Sequence, residues 1–477
     1  LRVRTDAVAT VLRTSAAVPA AVRTIQSMLL SAPTYTRPMG SFLQHVLDYQ
    51  QVPALPGSVD LLVSVREHIL PHIEAAKALS HPRASAAYAA SQDIVDAAKT
   101  VMSFGGDAHA LSEWRQHVVS TLSSLRPALM QCEQSLRDLM SPAALNVLQG
   151  DYSLSLMACI RMAIGSPDEL FTAHQVCGFP CIDDYPDSGM FREREKPATQ
   201  QFDELFHEKH NEDVDRALRN SAADSRQWDA LVQLTDKTRA EVLKKLASGP
   251  YTWEDMDIRY GERCWRALHR FAVWQGVDDN GRPKCRPCDN AKRSKTNECS
   301  STHETISCEQ PSFPAMMCLL FADLNGGKPP YPMHHSTDDV EGAYRRMLCA
   351  HPEATVVAIY DTIEKDVRYY TMDGHNFGLM TAVLSFNRHS QLMSMCARRL
   401  FGVCVAGYFD DYDITEPTFC GATGKHVIAT LHRWMGVPLA GHGVPLIQSA
   451  KNVMPDQKNA FLGVLSDLRG VMQGFVV

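Results

Sequence analysis

The string Gly407-Tyr408-Phe409-Asp410-Asp411-Tyr412 sets two carboxylates side by side between the apolar run Phe401 to Val405 and the residues Asp413, Ile414 and Thr415. That pattern predicts a β-hairpin with two acids at its tip. Adjacent carboxylates repel unless a cation neutralises them, and hard divalent ions such as Mg²⁺ take this kind of oxygen ligand. By itself the string is better read as an exposed acidic turn, and its neighbours decide the matter. A second acidic string, Asp338-Asp339-Val340-Glu341-Gly342-Ala343-Tyr344-Arg345, lies upstream. Further back, Arg282, Lys284, Arg286, Lys292, Arg293 and Lys295 crowd a stretch whose only acid is Asp289. Such a run is a solvated face or a grip on phosphates. It also holds Cys285-x-x-Cys288, followed by Cys299 and His303, a passable zinc spacing whose second pair is ordinary. Cys177, Cys181, Asp183 and Asp184 offer another metal reading, but no cysteine or histidine partner sits at metal-site spacing, so a solvated acidic loop is preferred.

Order along the chain narrows these choices. Between the two acidic strings runs Asn376-Phe377-Gly378-Leu379-Met380-Thr381-Ala382-Val383-Leu384-Ser385-Phe386-Asn387-Arg388, entering a helix expected to reach about Leu400, and Phe461-Leu462-Gly463-Val464 follows the hairpin. Together with Lys284-Cys285-Arg286, these strings resemble, in order, the fingers and palm motifs of reverse transcriptases of retroelements. The resemblance spans about residues 270 to 465. It implies a right-hand polymerase core, RNA-directed DNA polymerisation, dNTPs and a primed RNA or DNA template as substrates and partners, and two Mg²⁺ ions as cofactors, with Mn²⁺ as a substitute.

The resemblance also assigns roles. Nucleotidyl transfer by two metals needs carboxylates that bridge both ions. Asp339 and Asp410 are the implied bridging pair, with Asp411 in support. Asp339 is chosen over Asp338 because it alone places Ala343 and Tyr344 four and five residues on; Asp338 is then a solvated neighbour. Tyr344 closes over the sugar and leaves no room for a 2′-hydroxyl, unless it is a plain core aromatic. Lys284 and Arg286 hold the triphosphate. Phe377 and Gly378 lie against the nascent base pair, where glycine permits close backbone approach. Asn376 stands where the family has proline, a change expected to loosen the turn. Lys451 is the proton donor to pyrophosphate, or else a surface lysine.

Positioning these groups calls for an α+β fold: fingers and palm with an antiparallel palm sheet, preceded by a mainly helical region. Spacings of three and four join Leu111, Trp114, Val118, Leu122 and Leu125, and likewise Tyr88, Val95, Ala98 and Met102, with Pro82 and Pro127 at helix boundaries. Residues 1–165 therefore read as a helical bundle without visible chemistry. Residues 166–250 read as an irregular linker and then polar helices up to Leu246, stopped by Gly249-Pro250. Residues 251–330 form the fingers-like part, and 331–477 the palm, with most of a thumb missing.

Composition sets outer bounds. The chain has 477 residues, 45% hydrophobic and 21% charged, enough apolar content for a sizeable core and unlike a disordered chain. A net charge of -7 excludes a surface that is basic all over, but leaves room for a local basic channel. No apolar run approaches the roughly 18 residues of a membrane span. Fourteen scattered cysteines favour free thiols in a reducing compartment, cytoplasm or nucleus. The opening stretch, with Arg2, Arg4, Arg13, Arg23 and Arg37 against Asp6, shares the composition of a mitochondrial transit peptide. Leu1 at the start and Gly474 to Val477 at the end suggest a fragment of something longer. Two alternatives stand beside reverse transcription. One is an inactive retroelement relic. The other is an RNA-dependent RNA polymerase, which Phe409 and Tyr344 oppose.

Overall fold

In the computed structural model, residues 2–35, 90–277, 281, 283–306, 311–439 and 453–473 are described. Helices come first. They are α1 (Arg2–Thr14), α2 (Ala17–Leu30), α3 (Gln92–Ser103), α4 (Ala108–Ser124), α5 (Arg126–Asp138), α6 (Pro142–Val147), α7 (Leu154–Ala163) and α8 (Phe171–Cys177). The expected stripe holds where it is described: Leu111, Val118 and Leu122 are buried on α4, whose N-terminus is capped by the Asp107 carboxylate accepting from His109 N and Ala110 N at 3.0 Å. Tyr88, Pro82 and Arg37 lie outside the described residues.

The stretch after residue 166 is less irregular than expected. Helix α8 is buried at every position and so has no polar face to give a helical period. It ends on Gly178, whose φ is +102°. Strands β1 (Asp183–Tyr185) and β2 (Arg192–Lys196) flank β6 (Ser300–Thr305) in a three-stranded sheet, with Asp183 and Asp184 exposed on its edge and Cys177 and Cys181 buried.

The polar region is two helices, α9 (His210–Ala223) and α10 (Trp228–Leu243). Then come β3 (Ala247–Tyr251), α11 (Trp253–Tyr260), β4 (Ala267–Val277) and β5 (Pro283–Asp289). With β8 (Val356–Asp361) and β9 (Asp366–Met372), these strands build a five-stranded sheet in the order β3-β9-β8-β4-β5, antiparallel except for β4 beside β8. Helix α9 covers it through Val214 and Leu218, packed with Trp265, Val356 and Tyr369.

The sheet that matters for the site is four-stranded and wholly antiparallel. Its order is β10-β11-β7-β12, from β7 (Met333–Asp339), β10 (Val405–Tyr408), β11 (Asp411–Pro417) and β12 (Val453–Asp456). A hairpin of β13 (Lys458–Phe461) and β14 (Val464–Asp467) adjoins it. Helices α12 (Phe313–Leu324), α13 (Met380–Phe401) and α14 (Thr423–Met435) complete the chain. Strand β11 reads as mixed polar and apolar, yet six of its seven residues are buried, because elements cover both faces.

One core runs from the N-terminal helices to this sheet, joining Val8, Ile25, Leu136 and Ile160 to Leu392, Ile414, Leu431 and Trp434. Arg115 of α4 locks the join: its guanidinium donates to both oxygens of Glu416 on β11, at 2.6 and 3.2 Å, and to the carbonyls of Phe401 and Gly402. Gly402 ends α13 at φ +57°, and a Cβ there would stand 2.7 Å from the Thr100 side chain of α3. The fold is thus mixed, with antiparallel-rich sheets. No helix among the described residues is long and apolar enough to cross a membrane.

Candidate active site

The acids are brought together by strand register. In the β7–β11 ladder Asp339 is the direct partner of Asp411, and Asp338 that of Tyr412. Partners facing each other in an antiparallel pair have Cα atoms roughly 4.5–5.5 Å apart. The β10–β11 hairpin closes on the two-residue turn Phe409-Asp410, and Val340 N donates to the Asp410 carbonyl at 3.0 Å. Asp339, Asp410 and Asp411 therefore share one end of the sheet, all half-buried. Phe409 holds φ +52°, a left-handed conformation that is uncommon for a bulky side chain.

Successive residues of a strand face opposite sides, and this separates Asp338 from Asp339. Asp338 is not the solvated neighbour expected: it is fully buried, and Lys425 of α14 donates to its Oδ1 at 2.8 Å. Lys425 Nζ also donates to the carbonyls of Thr337 and Val453, at 2.7 and 3.2 Å. Burial draws the Lys425 ammonium below its usual range while Asp338 pushes it back up.

Two residues beyond Asp411, on the same face, Asp413 is fully buried and meets His335 Nδ1 at 2.8 Å. His335 Nε2 accepts from Asn459 N at 3.1 Å, which assigns the ring proton to Nδ1. Asn459 belongs to β13, so this contact seats the Phe461-Leu462-Gly463-Val464 hairpin against β7. Leu462 and Gly463 form its turn, both with positive φ.

Just past β7, a 3₁₀ turn over Ala343–Arg346 presents Tyr344. Its ring lies 5.2 Å from that of Phe377 and 5.8 Å from that of Phe386. Tyr344 is half-buried and Phe377 is 37% exposed, so the pair forms an aromatic corner open on one side. Asn376 does not loosen the turn. Its amide is buried, with Nδ2 donating to Thr355 O at 3.0 Å and Oδ1 accepting from Arg345 at 3.0 Å. Proline could make neither bond. Gly378 does permit close approach, but to the protein's own backbone: at φ +114° its added Cβ would stand 2.1 Å from the Asp289 carbonyl. Asp289 N donates to Phe377 O at 3.0 Å, and Asn297 clamps Gly378 O and Met380 N at 2.9 Å each.

Lys284 and Arg286 lie on β5, the strand that ends at Asp289, and both are exposed. Arg286 faces Val273 across the β4–β5 ladder, next to the exposed Phe271. The zinc reading fails here. Cys285 and Cys288, three apart on a strand, face opposite sides, Cys299 packs in a separate cluster with Cys181, and His303 pairs with Asp184 at 2.8 Å. Among the described residues no three His, Cys, Asp or Glu side chains are gathered to hold a metal ion, the three acids at the end of the sheet included. Lys451 lies outside the described residues.

Sequence reasoning missed a buried charge network behind the aromatic corner. Arg270 donates to Asp289 at 2.7 and 3.1 Å and to Glu241 at 2.8 Å, and Arg345 donates to both acids, at 3.2 and 2.8 Å. Burial would raise the Glu241 carboxyl, but Arg345 and Arg270 outweigh that and hold it at about 2. Four charges scattered over a hundred residues carry no local signal. The one hint was that Asp289 is the sole acid in a basic run.

No protein-family model matches the chain, and no curated protein matches it.

Proposed function

We propose that residues 251–473 form the fingers and palm of an RNA-directed DNA polymerase, which extends a primer 3′-hydroxyl with dNTPs. The observation that carries this proposal is the pairing of Asp339 with Asp411 across a ladder whose hairpin turn holds Asp410. Two acids 72 positions apart (411 − 339) thereby face each other, with Asp410 adjoining them in the turn; two-metal nucleotidyl transfer needs acids from both strings at one site. The donor set is all carboxylate oxygen, which suits Mg²⁺ or Mn²⁺. Asp339 and Asp410 would hold the ions, with Asp411 in support. When bound, such ions activate the primer hydroxyl and neutralise charge on the triphosphate.

The chain's own groups do the rest. Lys425 neutralises Asp338 from the other face of the sheet, so Asp338 adds no unpaired charge beside Asp339. The ring of Tyr344, braced by Phe377 and Phe386, fills the space a 2′-hydroxyl would need. Lys284 and Arg286 supply positive charge for the triphosphate, Arg as a bidentate fork and Lys as a point charge.

Primer extension on a defined RNA template tests the proposal. The parent chain should use dNTPs in preference to rNTPs, and Tyr344→Ala should narrow that preference by roughly a hundredfold, the size of a lost clash of a few kcal/mol. Equal use of both sugars by the parent would favour an RNA polymerase instead. No extension by either protein would favour an inactive relic.

A further inference from the structure

The spacing of the Tyr344–Phe377 corner is set from behind by one guanidinium. Arg345 follows Tyr344 in the same 3₁₀ turn, and its side chain is buried. Nε donates to Glu241 at 2.8 Å, Nη1 to the His375 carbonyl at 2.8 Å and to Asn376 Oδ1 at 3.0 Å, and Nη2 to Asp289 at 3.2 Å. The guanidinium carbon also lies 5.2 Å from the centre of the Phe377 ring. From the turn bearing Tyr344, a single side chain thus grips three other segments: α10 at Glu241, the approach to Phe377, and the end of the strand that carries Lys284 and Arg286.

Buried ion pairs are poor stabilisers, because desolvation cancels most of their attraction. What a planar five-donor fork adds is fixed relative placement, which a lysine cannot reproduce. The backbone reinforces this. His375 N donates to the Tyr344 carbonyl at 3.0 Å, and Gly374 packs so closely on Arg345 that a Cβ there would stand 2.0 Å from the Arg345 carbonyl oxygen.

We propose that Arg345 is a specificity-determining positioning residue: by fixing the gap between Tyr344 and Phe377 against the end of β5, it sets how strictly the sugar of the incoming nucleotide is discriminated. This rests on the polymerase reading above.

The test compares the parent chain with Arg345→Lys, measuring kcat and KM for a dNTP and the matching rNTP, with melting followed alongside. Arg345→Lys should lower the dNTP-to-rNTP preference by about tenfold or more, through KM more than kcat. Arg266→Lys is the structural control. That guanidinium is equally buried and forked, donating to Glu208, Leu205 O and Ser294 O, but is not among the contacts of the corner. It should lower the melting temperature and leave the preference unchanged. Asp289→Asn, which keeps the shape of an Arg345 partner without its charge, should shift the preference in the same direction and carries the comparison if Arg345→Lys does not fold. A preference within about twofold of the parent in folded Arg345→Lys or Asp289→Asn would overturn the inference while leaving the polymerase reading intact. An equal shift in Arg266→Lys would also overturn it, by showing the effect to be general loosening. A parent that extends no primer would bring down both.

Discussion

Lys425 reaches from α14 beneath the sheet to the carboxylate of Asp338, 2.8 Å away, so the acid next to Asp339 is neutralised from the opposite face. Removing one partner of a buried pair leaves the other charged and desolvated. Lys425→Met should therefore destabilise the fold by about 3–5 kcal/mol, and the double variant with Asp338→Leu should recover most of that loss. Denaturant midpoints of the two variants check this. Equal instability of both would mean that Lys425 matters for its contacts with Thr337 and Val453 rather than for Asp338.

Glycines 378 and 421 both hold positive φ, but only Gly378 is crowded. Gly421→Ala meets nothing within 4 Å, but at φ +54° and ψ −138° the backbone lies in a region open essentially to glycine, and the strain should cost about 1–3 kcal/mol. Gly378→Ala must also push the Asp289 carbonyl aside and should cost clearly more, about 3 kcal/mol or above. Chemical denaturation of the pair distinguishes backbone strain from displaced structure.

Glu241 gives the fold an acid-sensitive step. Its carboxyl is held at about 2 in the folded chain, below its ordinary value of 4.5. A depressed acid stabilises fully above the unfolded value and loses that contribution as pH falls through the folded one. Between about pH 4.5 and 2 the network should forfeit about 3 kcal/mol. Stability measured against pH should show that loss in the parent and a smaller one in Glu241→Gln.

The hairpin at Asp410 was legible because its signals are local: an apolar run, a turn and β-type residues on either side. The spacing to Ala343 and Tyr344 picks Asp339 over Asp338, and the ladder sets Asp339, not Asp338, opposite Asp411. The surroundings were not legible. Asp338 finds its partner 87 positions away (425 − 338). Arg345, beside a residue singled out for chemistry, carries no local signal, because Glu241, Asp289 and Asn376 come around it only through folding. Helix α8 shows no helical pattern in the sequence, because complete burial erases the period by which a helix is recognised. The two hydrogen bonds of the Asn376 amide join it to Arg345 and Thr355, 31 and 21 positions away, where no local pattern reaches.

Arg286 is exposed on β5, so its loss should leave the fold unchanged. If it contacts the triphosphate, Arg286→Ala should raise KM for dNTP by about tenfold, with primer-template affinity little altered. Weakened template binding at an unchanged nucleotide KM would reassign this basic stretch to the nucleic-acid backbone.

The central claim is that the acids at the end of the β7–β11 ladder perform nucleotidyl transfer, and Asp410→Asn tests it most directly. Primer extension with Mg²⁺ and dNTPs is compared between the parent and this variant, with melting temperature as the control for folding. Extension should vanish while the fold persists, since Asp410 is half-buried in a two-residue hairpin turn that an asparagine of the same shape can occupy. A folded Asp410→Asn chain that extends a primer within about threefold of the parent rate would contradict the account.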